Sequence, residues 1–110
     1  MRLYLDTSQP KTILKLDDKE FEWDSGRNLA KELLKFIHDK LLENGKDWRD
    51  LTEIYFMSGP GSFTGLRIGA TIVNTLADQL HIPLYNHKGK KVDLIMPEYG
   101  RPANITPPKK

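Results

Sequence analysis

The sequence predicts an α/β domain in which a largely parallel sheet carries an antiparallel hairpin at one edge. Three observations lead there. Apolar and polar residues alternate in short runs at the amino end, the period of a half-buried strand. Leucines and an isoleucine then recur at spacing four over residues 29–41. Finally, an apolar run at 54–57 passes through a glycine-rich turn, "SGPGSFTGLRIG" at 58–69, into a second helical pattern. Strands separated by helices need right-handed crossovers, which make the continuation of the sheet parallel.

The elements follow in order. "RLYLD" at 2–6 reads as a first strand with Leu3 and Leu5 on one face, and "TSQP" breaks it. "KTILKL" at 11–16 is a second strand, and the two aspartates at 17–18 make a turn. "KEFEWD" alternates Phe21 and Trp23 against Glu20 and Glu22, with the charged outer face expected of an edge strand. In the next segment Leu29, Leu33, Ile37 and Leu41 describe an amphipathic helix. Ser25 and Asn28 are both candidate caps for its start, and Asn44-Gly45 supplies a left-handed stop. "TEIYFMS" holds a buried strand at 54–57; a second helix starts after the glycine turn and ends before Pro83; "PLYNH" is a last short strand. From Lys88 onward the pattern dissolves into an extended tail with four prolines, in which "VDLIM" is a candidate docked piece.

The glycine turn admits two chemistries. Amides at a strand-to-helix turn favour an anion, but a phosphate loop needs G-x-x-x-x-G-K-[ST], and no lysine lies between Lys46 and Lys88. Gly59, Gly61 and Gly65 are spaced G-x-G-x-x-x-G, which is not the dinucleotide fingerprint either. Packing explains more. Gly65 and Gly69 are one helical turn apart and continue into Ile72, Val73, Leu76 and Leu80. Glycine inside a helix costs about 1 kcal/mol relative to alanine, and close approach of another backbone would compensate it. That neighbour is either internal (the first helix or the sheet) or another protein.

Other constellations are thin. Asp6-Thr7-Ser8 follows the first strand, where α/β folds place phosphate or metal carboxylates, but one carboxylate alone also reads as a turn closed by its own hydrogen bonds. Ser62 and Thr64 suit a helix start. His38 is expected at a surface or boundary, and His81 and His87 lack the spacing of metal ligands on one helix face. No catalytic residue and no metal site is therefore expected.

A chain of 110 residues fits one small domain. It has no cysteine, which excludes disulfides and thiolate metal sites. Its start lacks the apolar core of a signal peptide, and no apolar run approaches the ~20 residues that span a bilayer; the cytoplasm and no membrane contact are expected. From Lys88 to the end six Lys/Arg stand against two Asp/Glu. Such a tail offers a nucleic-acid contact, yet no aromatic–basic interleaving accompanies it, which favours simple solvation of the end.

"GPGSFTGLRIG" at 59–69, "LADQLHIPL" at 76–84, "LYLDTS" at 3–8 and the leucine spacing at 29–41 together resemble the TsaB (YeaZ) family, the partner proteins in bacterial synthesis of threonylcarbamoyladenosine on tRNA. The resemblance covers residues 1–87 in order. It implies half of a sugar-kinase/actin-like (ribonuclease H-like) fold, ordered β-β-β-α-β-α-β. Residues 1–87 would form a single actin-like amino-terminal lobe, and 88–110 an extended, basic, proline-containing tail. Family members usually carry a second actin-like half, which this chain is too short to hold. In the catalytic relative TsaD, two histidines four apart bind the metal; His87 matches the first, and Lys91 stands at the second.

The resemblance thus implies a non-catalytic assembly subunit. Its partners would be a TsaD-like catalytic subunit, a TsaE-like ATPase, and a second copy of the chain when it is alone. tRNA would be contacted indirectly or through the tail. The implied interface lies on helices 28–44 and 62–80, at Leu29, Leu33, Phe36, Ile37, Phe63, Gly65, Leu66, Gly69, Ile72, Val73 and Leu76. Asp6, Thr7, Ser8, Gly59, Gly61 and Ser62 would be a nucleotide-binding remnant, with no cofactor expected except ATP or ADP shared at the interface. The competing expectation is a nucleotide-phosphate-binding protein of the actin-like kinase class, using Asp6 and the 59–62 turn.

Overall fold

Alternation along the first strands decides which face of the sheet becomes the core. In a computed structural model of the chain, which describes residues 1–97, β1 (Arg2–Asp6), β2 (Lys11–Leu16) and β3 (Lys19–Asp24) form an antiparallel meander. Leu3 and Leu5 of β1 and Thr12, Leu14 and Leu16 of β2 point to one face and are buried. The chain then enters α1 (Leu29–Glu43) through a single 3-10 turn at Gly26–Asn28. Asn28 occupies the cap position without a side-chain cap bond, and Ser25 is instead buried with its Oγ against Thr12 Oγ1 at 3.0 Å. Gly45, at φ 71°, reverses the chain after the helix.

β4 (Glu53–Phe56) returns parallel to β1, placing Ile54 beside Leu3 and Phe56 beside Leu5. α2 (Phe63–Leu80) follows, and β5 (Leu84–Tyr85) returns parallel to β4. Both crossovers run the same way along the sheet, so right-handed connections put α1 and α2 on the same face, where they touch one another. Their inward stripes, Leu29, Leu33, Ile37 and Leu41 on α1 and Leu66, Val73 and Leu76 on α2, close the core over β1 and β4. Each fully buried aliphatic side chain contributes about 1.5–3 kcal/mol.

Among the described residues the sheet has six strands rather than the five that the sequence predicts, in the order β3-β2-β1-β4-β5-β6. The added strand, β6 (Lys91–Val92), lies within the stretch expected to be patternless and pairs antiparallel with β5. Asn86 makes the hairpin: its Oδ1 accepts from the Lys88 and Lys90 amides, and Gly89 takes φ 74°. Beyond it Ile95 is buried, its backbone held in both directions by the Asn74 side chain of α2. The rest of the expected tail, residues 98–110, lies outside the described residues.

The opposite sheet face carries a row through Glu20, Lys15, Tyr4, Tyr55, Tyr85 and Lys91, one residue from each strand in register. Tyr55 and Tyr85 stack at 4.5 Å, with the Arg2 guanidinium 5.1 Å from the Tyr55 centroid. Burial, followed by the charge of Asp6, pushes the Tyr4 hydroxyl above its ordinary pKa. Among the described residues no helix is long and apolar enough to cross a membrane.

Candidate functional site

The glycines of the turn stand four apart at 61, 65 and 69, and all three face inward. A Cβ on Gly61 would sit 2.5 Å from Ser8 Cβ. On Gly65 it would sit 2.1 Å from the Thr7 carbonyl oxygen, and on Gly69 2.2 Å from Thr7 Oγ1 and 2.6 Å from the Phe56 ring. The approach is closed by hydrogen bonds: Ser62 N donates to Ser8 O at 2.9 Å, and Thr7 Oγ1 donates to Gly65 O at 2.7 Å. Ser62 caps α2, accepting from the Gly65 amide at 3.2 Å. The close neighbour that the glycine stripe requires is therefore the end of β1.

This places much of the expected interface inside the chain. Leu33, Ile37, Leu66 and Val73 are fully buried within the chain's own core, and Gly65, Gly69 and Leu29 are buried too, Gly65 and Leu29 at the wall of a cavity. Phe36 is half-buried and stacks on Trp23 of β3 at 4.8 Å. Phe63 remains exposed, at 43%. Ile72 is half-buried, and with the edge of the buried Leu76 it lines an apolar groove of about 320 Å³ together with Leu34, Trp48 and Leu80. Thr75 and Gln79 supply its polar atoms. Leu34, 47% exposed, and Leu42, 52% exposed, extend the apolar outer face of α1.

Trp48 enters from outside both helices. It begins a 3-10 turn, Trp48–Asp50, whose start is fastened by a reciprocal cap: Asp47 Oδ1 accepts the Trp48 amide at 2.7 Å, and the Asp47 amide donates to Asp50 Oδ2 at 2.8 Å. The His38 ring stacks on the indole at 4.9 Å and 15°, and its Nε2 lies 2.8 Å from Asp47 Oδ1. The Trp48 amide, and after it the His38 ring, hold the Asp47 carboxyl below its ordinary pKa. His38 is half-exposed, as expected for a boundary residue; its contact with Trp48 has no counterpart in the helical period.

The candidate nucleotide remnant is occupied with its own structure. Asp6 Oδ1 accepts both the amide and the hydroxyl of Ser8, at 2.8 and 2.5 Å, which makes a closed Asx turn. Thr7, Ser8 and Gly59 are buried. A cavity of about 200 Å³ adjoins Thr7, Ser62 and Thr64, with Arg27 at its edge. No buried side-chain polar atom among the described residues lacks a partner. His87 Nδ1 pairs with Ser58 Oγ at 2.5 Å, whereas Lys91 lies exposed on β6. Among the described residues no three His, Cys, Asp or Glu gather as metal ligands.

Comparison with known proteins fits this geometry. A family model described as TsaD, tRNA N6-adenosine threonylcarbamoyltransferase, matches residues 24–87. The chain is 38% identical over 58 residues to the tRNA threonylcarbamoyladenosine biosynthesis protein TsaB of Bacillus subtilis (strain 168), covering 53% of this chain and 25% of that protein. It is 31% identical over 87 residues to the protein of the same name from Buchnera aphidicola subsp. Schizaphis graminum, covering 76% of this chain and 41% of the relative. The solved structure of YeaZ from Pseudomonas aeruginosa superposes with a TM-score of 0.67 at 32% identity, covering 77% of this chain and 42% of that one. The chain thus spans between a quarter and two fifths of the length of these curated relatives.

Proposed function

The chain belongs to the TsaD family and is similar to TsaB (YeaZ) proteins, and from that premise we propose that it is a non-catalytic assembly subunit which pairs with a TsaD-like catalytic protein in threonylcarbamoyladenosine modification of tRNA. The observation that carries this reading is the apolar groove on the outer face of α1 and α2, lined by Leu34, Trp48, Ile72, Leu76 and Leu80. Trp48, Ile72 and Leu80 are only partly buried against the core, and Leu34 is exposed. A second helix pair laid across the groove buries them.

An accessory rather than a catalytic role is supported by the state of the turn. The Thr7, Ser8 and Ser62 hydroxyls and the Asp6 carboxylate bond one another or the backbone, so they offer little to a phosphate or a substrate. A TsaE-like ATPase joins through the catalytic subunit, and any ATP or ADP is held between chains. A second copy takes the same face when the partner is absent. tRNA is reached through the assembly, or through the basic segment after Lys88.

Calorimetric titration with a TsaD-like subunit tests the proposal. Wild-type chain forms a complex; Ile72→Asp, which drives a carboxylate into the groove, weakens it by tenfold or more, equivalent to about 1.4 kcal/mol, while circular dichroism stays unchanged. No wild-type complex, or unchanged affinity in the folded variant, overturns it. Magnesium-ATP titrated into the chain alone is expected to give no heat.

A further inference from the structure

We propose that His38 is a positioning residue of the docking face: with Asp47 it holds the Trp48 ring as one wall of the groove, and so ties partner binding to protonation of its imidazole. The proposal rests on the reading of that groove as the partner face.

Two sets of contacts converge on Trp48. Asp47 fixes its backbone through the 2.7 Å bond to the amide. His38 fixes its ring, stacking at 4.9 Å while its Nε2 is tied to the same carboxylate at 2.8 Å. His38 stands one turn after Leu34 on α1, so the histidine and the groove share a helix face. The other apolar residues lining the groove are aliphatic. Trp48 is its aromatic member, the residue type in which interfaces concentrate binding energy. A wall that swings would leave that energy to chance; the histidine clamps it.

The clamp changes strength with a proton. A neutral imidazole still bonds Asp47 through Nε2–H. An imidazolium adds a charge-assisted bond to the carboxylate and a cation over the indole face. The surrounding charges do not replace it. On the turn, Asp47 faces the ring, with Arg49 and Asp50 beside it. On α1, Lys35 is paired with Asp39 and Lys40 with Glu43. Lys46 lies in the connecting segment. α2 presents Ile72, Thr75, Leu76, Gln79 and Leu80 to the groove, none of them titratable.

Two readouts test this in the full chain. With Trp23→Phe as background, emission reports Trp48 alone. It is expected to differ between pH 6 and pH 8, and His38→Gln is expected to abolish that difference without loss of helical signal. Affinity for the TsaD-like subunit is expected to be about fivefold weaker at pH 8 than at pH 6 in the wild type, and the His38→Gln chain to lack that difference. Comparing the two chains removes whatever titrates in the partner. An emission difference that survives in His38→Gln, or a pH profile of affinity common to both chains, overturns the proposal. If Ile72→Asp weakens the complex while the profile is shared, only this inference fails. If Ile72→Asp leaves the complex intact, the partner-face reading fails and this one with it.

Discussion

Replacing Gly65 by alanine separates inward from outward packing of the glycine stripe by the sign of its effect. The new Cβ would lie 2.1 Å from the Thr7 carbonyl oxygen, a backbone atom held in the sheet. Relieving that overlap takes a retreat of α2 by roughly 1 Å in a core packed to near-crystal density. The retreat strains the Thr7 Oγ1 bond to Gly65 O and the Ser62 amide bond to Ser8 O. Overpacking costs about 1–3 kcal/mol, and a clash with backbone belongs at the upper end. Removing a helix glycine returns at most about 1 kcal/mol. The net loss of about 2 kcal/mol lowers the melting temperature by roughly 8–16 °C for a domain of this size. Thermal melting by circular dichroism reads it directly. Had the glycines faced a partner, alanine would stabilise the isolated chain instead. A Gly65→Ala chain that melts at or above the wild-type temperature refutes the seating of α2 on β1.

Three further outcomes follow from the same geometry. Leu33→Ala empties a fully buried site between α1 and the sheet, and should cost about 2–5 kcal/mol in urea unfolding; a loss within error of zero would contradict the core as described. Ser62→Ala removes the cap on α2 and should cost about 1 kcal/mol without changing far-ultraviolet spectra; no measurable loss would mean the cap is not made. The Asp47 carboxyl has a folded pKa below its ordinary value of 3.8, owing first to the Trp48 amide and then to the His38 ring. A depressed pKa gives stability that is present above the ordinary value and lost as the pH falls below it through the folded one. Asp47→Asn should therefore flatten the acid limb of stability measured below about pH 5, and parallel limbs in both chains would contradict this.

The strands at 2–6, 11–16 and 19–24 were legible residue by residue, because side-chain alternation is written in the local sequence. α1 was equally plain from its spacing-four leucines; Asn28 holds its cap position without a side-chain bond, and Ser25 stands at the start of the preceding 3-10 turn. β4 starts and ends one residue earlier than the apolar run suggests, since the chain leaves the sheet at Met57 to make the glycine turn. β6 is two residues long and has no period to detect; its signal was the Asn86 and Gly89 pair, which marks the turn rather than the strand. At the site, the glycine stripe announced a close neighbour. Its direction depends on where β1 ends in space, which no periodicity encodes. For the same reason the interface expected at Leu33, Ile37 and Val73 proved to be core, because a helix of a two-layer fold turns its strongest apolar stripe to its own sheet. The surface left over rests on Leu34, Ile72 and a tryptophan from a connecting turn. The stacking of Trp48 on His38 joins residues ten apart across a chain reversal, beyond the reach of any helical repeat.

The outer face of α1 and α2 is proposed to meet a catalytic partner. Amide hydrogen exchange of the chain with and without a TsaD-like subunit tests it most directly. Added protection is expected along the outer faces of α1 and α2 and over the turn at Trp48–Asp50, with the β1–β4–β5 face of Tyr4, Tyr55 and Tyr85 unchanged. Protection confined to that tyrosine face, or none on either helix in a complex that demonstrably forms, would contradict it.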